Sequence, residues 1–251
     1  MLKRVLSILL CCVLGTTTLS AQKARLMTYN IKHASGVDGI KSLDRIAAVV
    51  ERFQPDVVAL QEVDSMTRRC PQDQIRDLAE KTGYYGYFMR CVDYFGGGYG
   101  NGVLSKERAI SVQRIPLPCR KEPRGMLLVE FKNYYFASVH LSLVAEDRVT
   151  SVEIIRGLVS KLNKPVFVAG DLNVKPTERA MLDMKAFFRF LSDPSRFTFP
   201  SNDPTVCGDH VMSYGAETTV LKQFIDYDNL ASDHLPLYVD VKYKPIKRGK
   251  K

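Results

Sequence analysis

The chain has no tryptophan and only four histidines among its 251 residues. Stacking on a base or sugar would therefore fall to tyrosine or phenylalanine, and histidine chemistry to very few positions. Its one glycine-rich stretch, FGGGYG at 95–100, is not followed by Gly-Lys-Ser/Thr, which excludes a phosphate cradle of the P-loop kind. No closely paired Cys or His has structural-zinc spacing. No Pro/Ser-rich linker, repeat or low-complexity block interrupts the chain, and its length is routine for one α/β core, so it reads as a single domain. Beyond the first residues no apolar run is long enough to span a bilayer.

Those first residues, MLKRVLSILLCCVLGTTTLSAQ, carry Lys3 and Arg4, an apolar run from Val5 to Leu14, and small residues up to Ala21. This is the pattern of a secretory signal peptide over 1–21, with a mature domain at 22–251 that is periplasmic or released. A lipoprotein acylated at Cys11 or Cys12 is the weaker reading, because it discards the small-residue cleavage segment. Removal of the leader leaves Cys70, Cys91, Cys119 and Cys207. An even number in an exported chain predicts one or two disulfides, with three pairings open. It also leaves 34 basic residues against 27 acids, a balance of +7. That balance suits nucleic acid or an anionic membrane surface. Much of the excess, however, lies in the tail KYKPIKRGKK, at about 243–251, which reads first as a solvated end.

RLMTY (25–29) reads as a strand ending at Asn30, and Leu43, Ile46, Ala47, Val50 and Phe53 have helical spacing over 42–54 behind a Ser42 cap. Val57–Leu60 reads as a buried strand that delivers Gln61 and Glu62. DQIRDLAEKTG is a second helix closed by Gly83, and FGGGYG the tip of a hairpin between YGYFMR and NGVLSK. GMLLVEF and YYFASVH flank the turn Lys132-Asn133 and end at His140. Val149, Val152, Ile155, Val159 and Leu162 mark a third helix, and VFVAG, HVMSY and LPLYVDVKY are later strands. The order predicts a mixed α/β domain, in which sites form where strand ends converge.

Asn30, Glu62, His140, Asp171 with Asn173, and Asp233 with His234 each fall at or beside a strand end. Singly, each has a structural explanation: Asp171 and Asn173 suit an Asx turn, and His140 a core histidine. Together they are hard oxygen donors, amides and two histidines, with no candidate activated serine or cysteine. Such donors suit Mg²⁺, or Mn²⁺ in the same class, which polarises a phosphoryl oxygen while a nearby carboxylate orients or deprotonates water. The chemistry that fits is metal-assisted hydrolysis of a phosphate ester.

The motifs MTYNIKH, DVVALQEVD, YGNGVLSK, SVHLS, VAGDLNVKP and ASDHLP, in this order over roughly 24–242, resemble the endonuclease/exonuclease/phosphatase superfamily. That superfamily includes pancreatic-type deoxyribonucleases, apurinic endonucleases, neutral sphingomyelinases and inositol polyphosphate phosphatases. The resemblance implies a four-layer α/β sandwich, two mixed β-sheets packed face to face with helices outside. It implies Glu62 as principal metal ligand with Asn30 and Asp233, and Asp171 as activator of the attacking water. Asn173 and His140 would bind the scissile phosphate, and His234 would contact it with its ring held by a buried acid.

Two departures stand out. The acid that pairs with the last histidine normally lies in an Ile-Asp-Tyr-Ile-Phe-like strand. Phe224-Ile225-Asp226-Tyr227 matches literally, but Asp226 lies only seven residues before Asp233. Asp209, in CGDHVMSYG, lies 24 residues before Asp233 and is assigned as the partner of His234, with Asp226 the decoy. His210 then stands where an aromatic is usual. The second departure is the lack of tryptophan-bearing apurinic-endonuclease signatures and of inositol-phosphatase ones, so the substrate stays open. Nucleic acid, a phospholipid head group and a sugar phosphate are the candidates, with phosphodiester ranked ahead of monoester and no obligate protein partner. Tyr84, Tyr85, Tyr87 and Tyr94 are candidates for stacking, although tyrosines on strands more often pack. The segment with His33, Asp38 and Arg124 in EPRG resembles exported bacterial members. A catalytically silent binding module on the same fold is the competing reading.

Overall fold

The computed structural model describes residues 21–227 and 230–246; all but the last residue of the predicted leader, and 247–251 of the basic tail, lie outside them. In chain order the elements are β1 (Gln22–Asn30), α1 (Leu43–Phe53), β2 (Val57–Thr67), β3 (Cys70–Asp73), α2 (Gln74–Thr82), β4 (Tyr85–Tyr94) and β5 (Gly97–Ser105). There follow β6 (Ser111–Leu117), β7 (Arg124–Glu130), β8 (Tyr135–His140), α3 (Ala145–Val159), β9 (Val166–Asp171), α4 (Arg179–Phe187) and β10 (Arg189–Phe190). The last are β11 (Asp209–Tyr214), β12 (Ala216–Ile225) and β13 (Leu237–Pro245). No helix among the described residues is long and apolar enough to cross a membrane.

Two mixed sheets result. One runs β12-β13-β1-β2-β5-β4, with β3 beside β2; the other runs β10-β11-β9-β8-β7-β6. Strand alternation sorts the apolar side chains into three cores. Leu26, Val57 and Ala59 meet Leu127, Phe167, Ala169 and Val211 between the sheets. On the outer face of the first sheet Met27, Tyr29, Val58 and Leu60 pack on Ile46 and Val50 of α1 and Leu78 of α2. On the outer face of the second, Met126, Ala137, Val139 and Val168 pack on Val152 and Ile155 of α3 and Met181 of α4. Period-two burial on the strands and helical spacing on the helices thus give four layers, helix–sheet–sheet–helix.

The helix ends follow their expected chemistry. Ser42 accepts from the Arg45 amide, Gln54 closes α1 in the left-handed region, and Gly83 does the same for α2 at φ 72°. Four expectations need correction. The glycines of FGGGYG are not all a hairpin tip, because Gly97–Gly100 lie in β5 and only Phe95-Gly96 turn. Glycine suits that strand by close approach: a Cβ at Gly100 would stand 2.1 Å from the Met89 carbonyl oxygen. Leu162 falls beyond α3, which ends at Val159. The strand at Val57 continues past Glu62 to Thr67. Finally, Cys70, Cys91, Cys119 and Cys207 are all free thiols: Cys70 lies in β3, Cys91 in β4, and Cys119 and Cys207 in separate loops, each against non-cysteine partners. Cys70 receives the Gln74 amide, Cys119 faces the Ser142 hydroxyl, and Cys207 lies beside His210.

Candidate functional site

The residues from both sheets meet at one end of the inter-sheet seam. Asn30 closes β1 on the inner face and is fully buried. Its amide donates to Glu62 Oε1 at 3.0 Å and to Asp171 Oδ2 at 3.3 Å, tying the first sheet to the second. Simple alternation would aim Glu62 away from Gln61, which faces the seam and bonds Thr28 and Ser138. A bulge between Leu60 and Val63, with Glu62 itself at φ 57°, turns the carboxylate back to Asn30. Bulges re-aim side chains in this way, and a left-handed non-glycine residue beside a cleft is strain stored at a site.

Asp171 ends β9 and is 2% exposed. Gly170 before it has φ 153°, and a Cβ there would lie 1.8 Å from the Val139 carbonyl oxygen, so the Gly of GDLN is required by the strand's own crossing. The Asp171 carboxylate is the hub: His140 Nε2 lies 3.6 Å and His234 Nε2 3.7 Å from its Oδ2, and its Oδ1 accepts the Asn173 amide at 3.0 Å. Asn173, at φ 51°, donates its side chain to the Leu141 carbonyl. Gly208 leaves room beside the hub, since a Cβ there would come within 3.0 Å of Asp171 Oδ1.

Asp209 opens β11 opposite Asp171 and faces His234, with Oδ2 2.9 Å from Nδ1. The Thr198 hydroxyl donates to the same Oδ2 at 2.6 Å, while Oδ1 is buried without a donor among the described residues. Phe199 covers the imidazole at 4.7 Å between ring centroids. Asp226 points elsewhere, into an ion pair with Arg52 of α1. Asp226→Asn should therefore leave kcat/KM within about twofold and lower stability by about 1 kcal/mol, read by activity assay and thermal melt. His210, one residue past Asp209, faces the helix layer, edge-on to Phe190 and beside Cys207; burial holds its pKa down at about 4.

Electrostatics separate the two site histidines. Burial lowers His140 to about 3, with Arg124 and His234 pushing the same way against Asp171, so it is neutral. Burial also opposes charge on His234, but Asp209, through charge and hydrogen bond, with Asp171 and Asp233, outweighs it and raises the ring to about 10. Burial pushes the Glu62 carboxyl up, as do Asp171 and Asp233, against the Asn30 amide and His234.

Glu62, Asp171, Asp209 and Asp233 cluster as a divalent ion would favour, and the oxygen donors of Glu62, Asn30 and Asp233 fit a hard one. Asp171, Asp209 and His234 also present ligand atoms within 4.8 Å of one another. There, however, His234 Nδ1 is already engaged by Asp209, and protonation of the ring would leave it no lone pair for a metal. Asp233 is half-buried and held by Lys32 Nζ at 2.7 Å. Lys32, Thr198 and Phe199 are contacts the sequence reading missed. Lys32 was within reach of it, inside MTYNIKH; nothing in the sequence marks Thr198 or Phe199. Of the tyrosines, Tyr84 donates to the Pro55 carbonyl, Tyr87 accepts from the Ala109 amide, and Tyr94 packs on Arg69. Tyr85 is 47% exposed.

Solved structures share this architecture. An endonuclease/exonuclease/phosphatase from Beutenbergia cavernae matches with TM-score 0.71 at 23% identity, covering 88% of this chain and 72% of its own. A mannosyl-6-phosphatase from Bacteroides thetaiotaomicron matches with TM-score 0.69 at 18% identity, covering 87% and 99%. D. rerio TDP2, complexed with a single-stranded DNA product, matches with TM-score 0.67 at 17% identity, covering 87% and 98%. At these identities the likeness is one of fold. The sequence model of the Endonuclease/Exonuclease/phosphatase family, however, matches residues 27–234, most of the chain including every site position above, and the chain belongs to that family.

Proposed function

We propose that the protein is an exported, divalent-metal-dependent phosphoesterase that hydrolyses its substrate by attack of an activated water. The observation that carries this reading is the convergence on Asp171 of Asn30, His140 and His234, with Glu62 held to the same Asn30 amide. Glu62, with Asn30 and Asp233, would hold the cation, Mg²⁺ first and Mn²⁺ second. Once bound it would supply Lewis-acid polarisation of a phosphoryl oxygen and offset charge on the leaving oxygen.

The chain's own groups do the rest. The Asp171 carboxylate orients the water and takes its proton. His234, kept protonated beside Asp209, donates Nε2–H to the phosphoryl oxygens as charge builds on them, and neutral His140 and the Asn173 amide add further donors. Export rests on the leader pattern at 1–21. The charge balance favours a phosphodiester such as a nucleic acid, but much of that charge lies at and beyond the last described residues. The mannosyl-6-phosphatase and the DNA-complexed TDP2 support phosphate-ester chemistry without choosing the ester.

The test is hydrolysis of an aryl phosphodiester, an aryl phosphomonoester, plasmid DNA and a sphingomyelin-type lipid, each with Mg²⁺, Mn²⁺ or chelator. The expected result is metal-dependent turnover of at least one, abolished by chelator and reduced at least about 10²-fold by Glu62→Ala. No turnover of any of them by protein that still binds the metal would favour the silent binding module instead.

A further inference from the structure

Arg124, the first residue of β7, stands beside the site without a described role. The next residue, Gly125, pairs across the ladder with His140, and its carbonyl accepts the Asn101 amide of β5 at 2.8 Å. That bond ties the start of β7 to the opposite sheet. The Arg124 side chain is only 10% exposed. Glu122 holds Nη1, while Nε is buried with no acceptor and Nη2 has no partner among the described residues. The guanidinium lies within electrostatic reach of His140 and of Tyr99, and Tyr99 within reach of Glu62.

A buried guanidinium N–H without an acceptor is costly, and native proteins rarely leave one so. The Nε/Nη2 edge is the one that binds two oxygens of a phosphate in parallel. Here that edge is vacant while the remaining nitrogen is fixed by Glu122, the arrangement of a head group oriented for an anion. A diester brings two non-bridging oxygens, for which His140, His234 and Asn173 already supply donors. A monoester brings a third terminal oxygen and a second negative charge.

Resting on the phosphoesterase reading above, we propose that the Nε/Nη2 edge of Arg124 binds the terminal oxygens of a phosphomonoester and selects it over a diester. In the reaction the water oxygen bonds to phosphorus and the bond from phosphorus to the ester oxygen breaks. The alcohol leaves with a proton, and inorganic phosphate remains against Arg124. This reverses the order of esters that charge balance alone suggests.

The experiment compares 4-nitrophenyl phosphate with bis(4-nitrophenyl) phosphate for the wild type, Arg124→Gln and Arg124→Lys, with inorganic phosphate as competitive inhibitor and as ligand in thermal-shift titrations. Losing a charged bidentate contact predicts a fall in monoester kcat/KM of about 10- to 100-fold in Arg124→Gln. Diester turnover should stay within about threefold and phosphate inhibition weaken in parallel, with Arg124→Lys intermediate. Equal losses on both esters, an unchanged ratio, or a wild type that cleaves only the diester would overturn the proposal while leaving the phosphoesterase reading intact. If the wild type cleaves neither aryl ester, that reading fails only when plasmid DNA and the lipid also go uncleaved. The Arg124 site then stands or falls on phosphate-induced stabilisation, present in the wild type and lost in Arg124→Gln, or the same in both.

Discussion

Asp171→Asn should reduce kcat/KM by about 10³- to 10⁴-fold while the protein still folds, because one oxygen of this carboxylate faces Asn30 and both site histidines. Its Oδ2 lies 3.3 Å from the Asn30 amide, 3.6 Å from His140 Nε2 and 3.7 Å from His234 Nε2. The substitution keeps the volume and the Oδ1 position that receives the Asn173 amide at 3.0 Å, so the Asx turn of GDLN survives. What it removes is the one basic oxygen at the centre. A carboxamide nitrogen turned toward Asn30 would also set donor against donor. The measurement is kcat/KM on the best substrate of the panel, with far-ultraviolet circular dichroism and a melt to establish folding. Activity within tenfold of wild type in a folded variant would move water activation to another group.

Much of this site was legible because it is written at strand ends. Asn30, His140 and Asp171 terminate apolar runs, and the length of those runs fixes which face the last residue shares with the core. Glu62 was legible as a residue but not in its geometry. Period two puts it on the wrong face, and only a bulge made with the distant β5 turns it to Asn30. Asp209 required discounting a literal motif match. Asp226 fails because β12 and the loop after it carry it toward Arg52, whereas Asp209 succeeds because β11 pairs with β9 and sets it opposite Asp171. Thr198 and Phe199 could not be read at all. They lie in an irregular segment whose course is set by long-range contacts such as the Leu235 amide to the Thr198 carbonyl. The disulfide expectation failed for a related reason: cysteine parity is a statement about composition, and pairing is one about tertiary distance.

The His234–Asp209 pair gives the second large effect, and its sign follows from the direction of the shift. His234 is raised from 6.5 to about 10. Its charged form therefore stabilises the fold fully below about pH 6.5, and that contribution is lost as pH rises through about 10. Activity that depends on the imidazolium proton should hold to the same limit. In Asp209→Asn the main charge and hydrogen bond that raise the ring are gone, and burial, which acts in the opposite direction, prevails. His234 should then be neutral near pH 7.5, with kcat/KM lower by about 10²- to 10³-fold there. The alkaline limb of the pH–rate profile should move from about 10 to below about 7, so that part of the loss is regained on acidification. Wild-type melting temperature should drop between about pH 7 and 10.5 by more than that of the variant. Profiles over about pH 5 to 10.5, with nitrogen chemical shifts of the His234 ring, read both effects. An alkaline limb that stays near 10 in Asp209→Asn would mean that Asp171 and Asp233 alone hold the proton, and that Asp209 orients the ring without charging it.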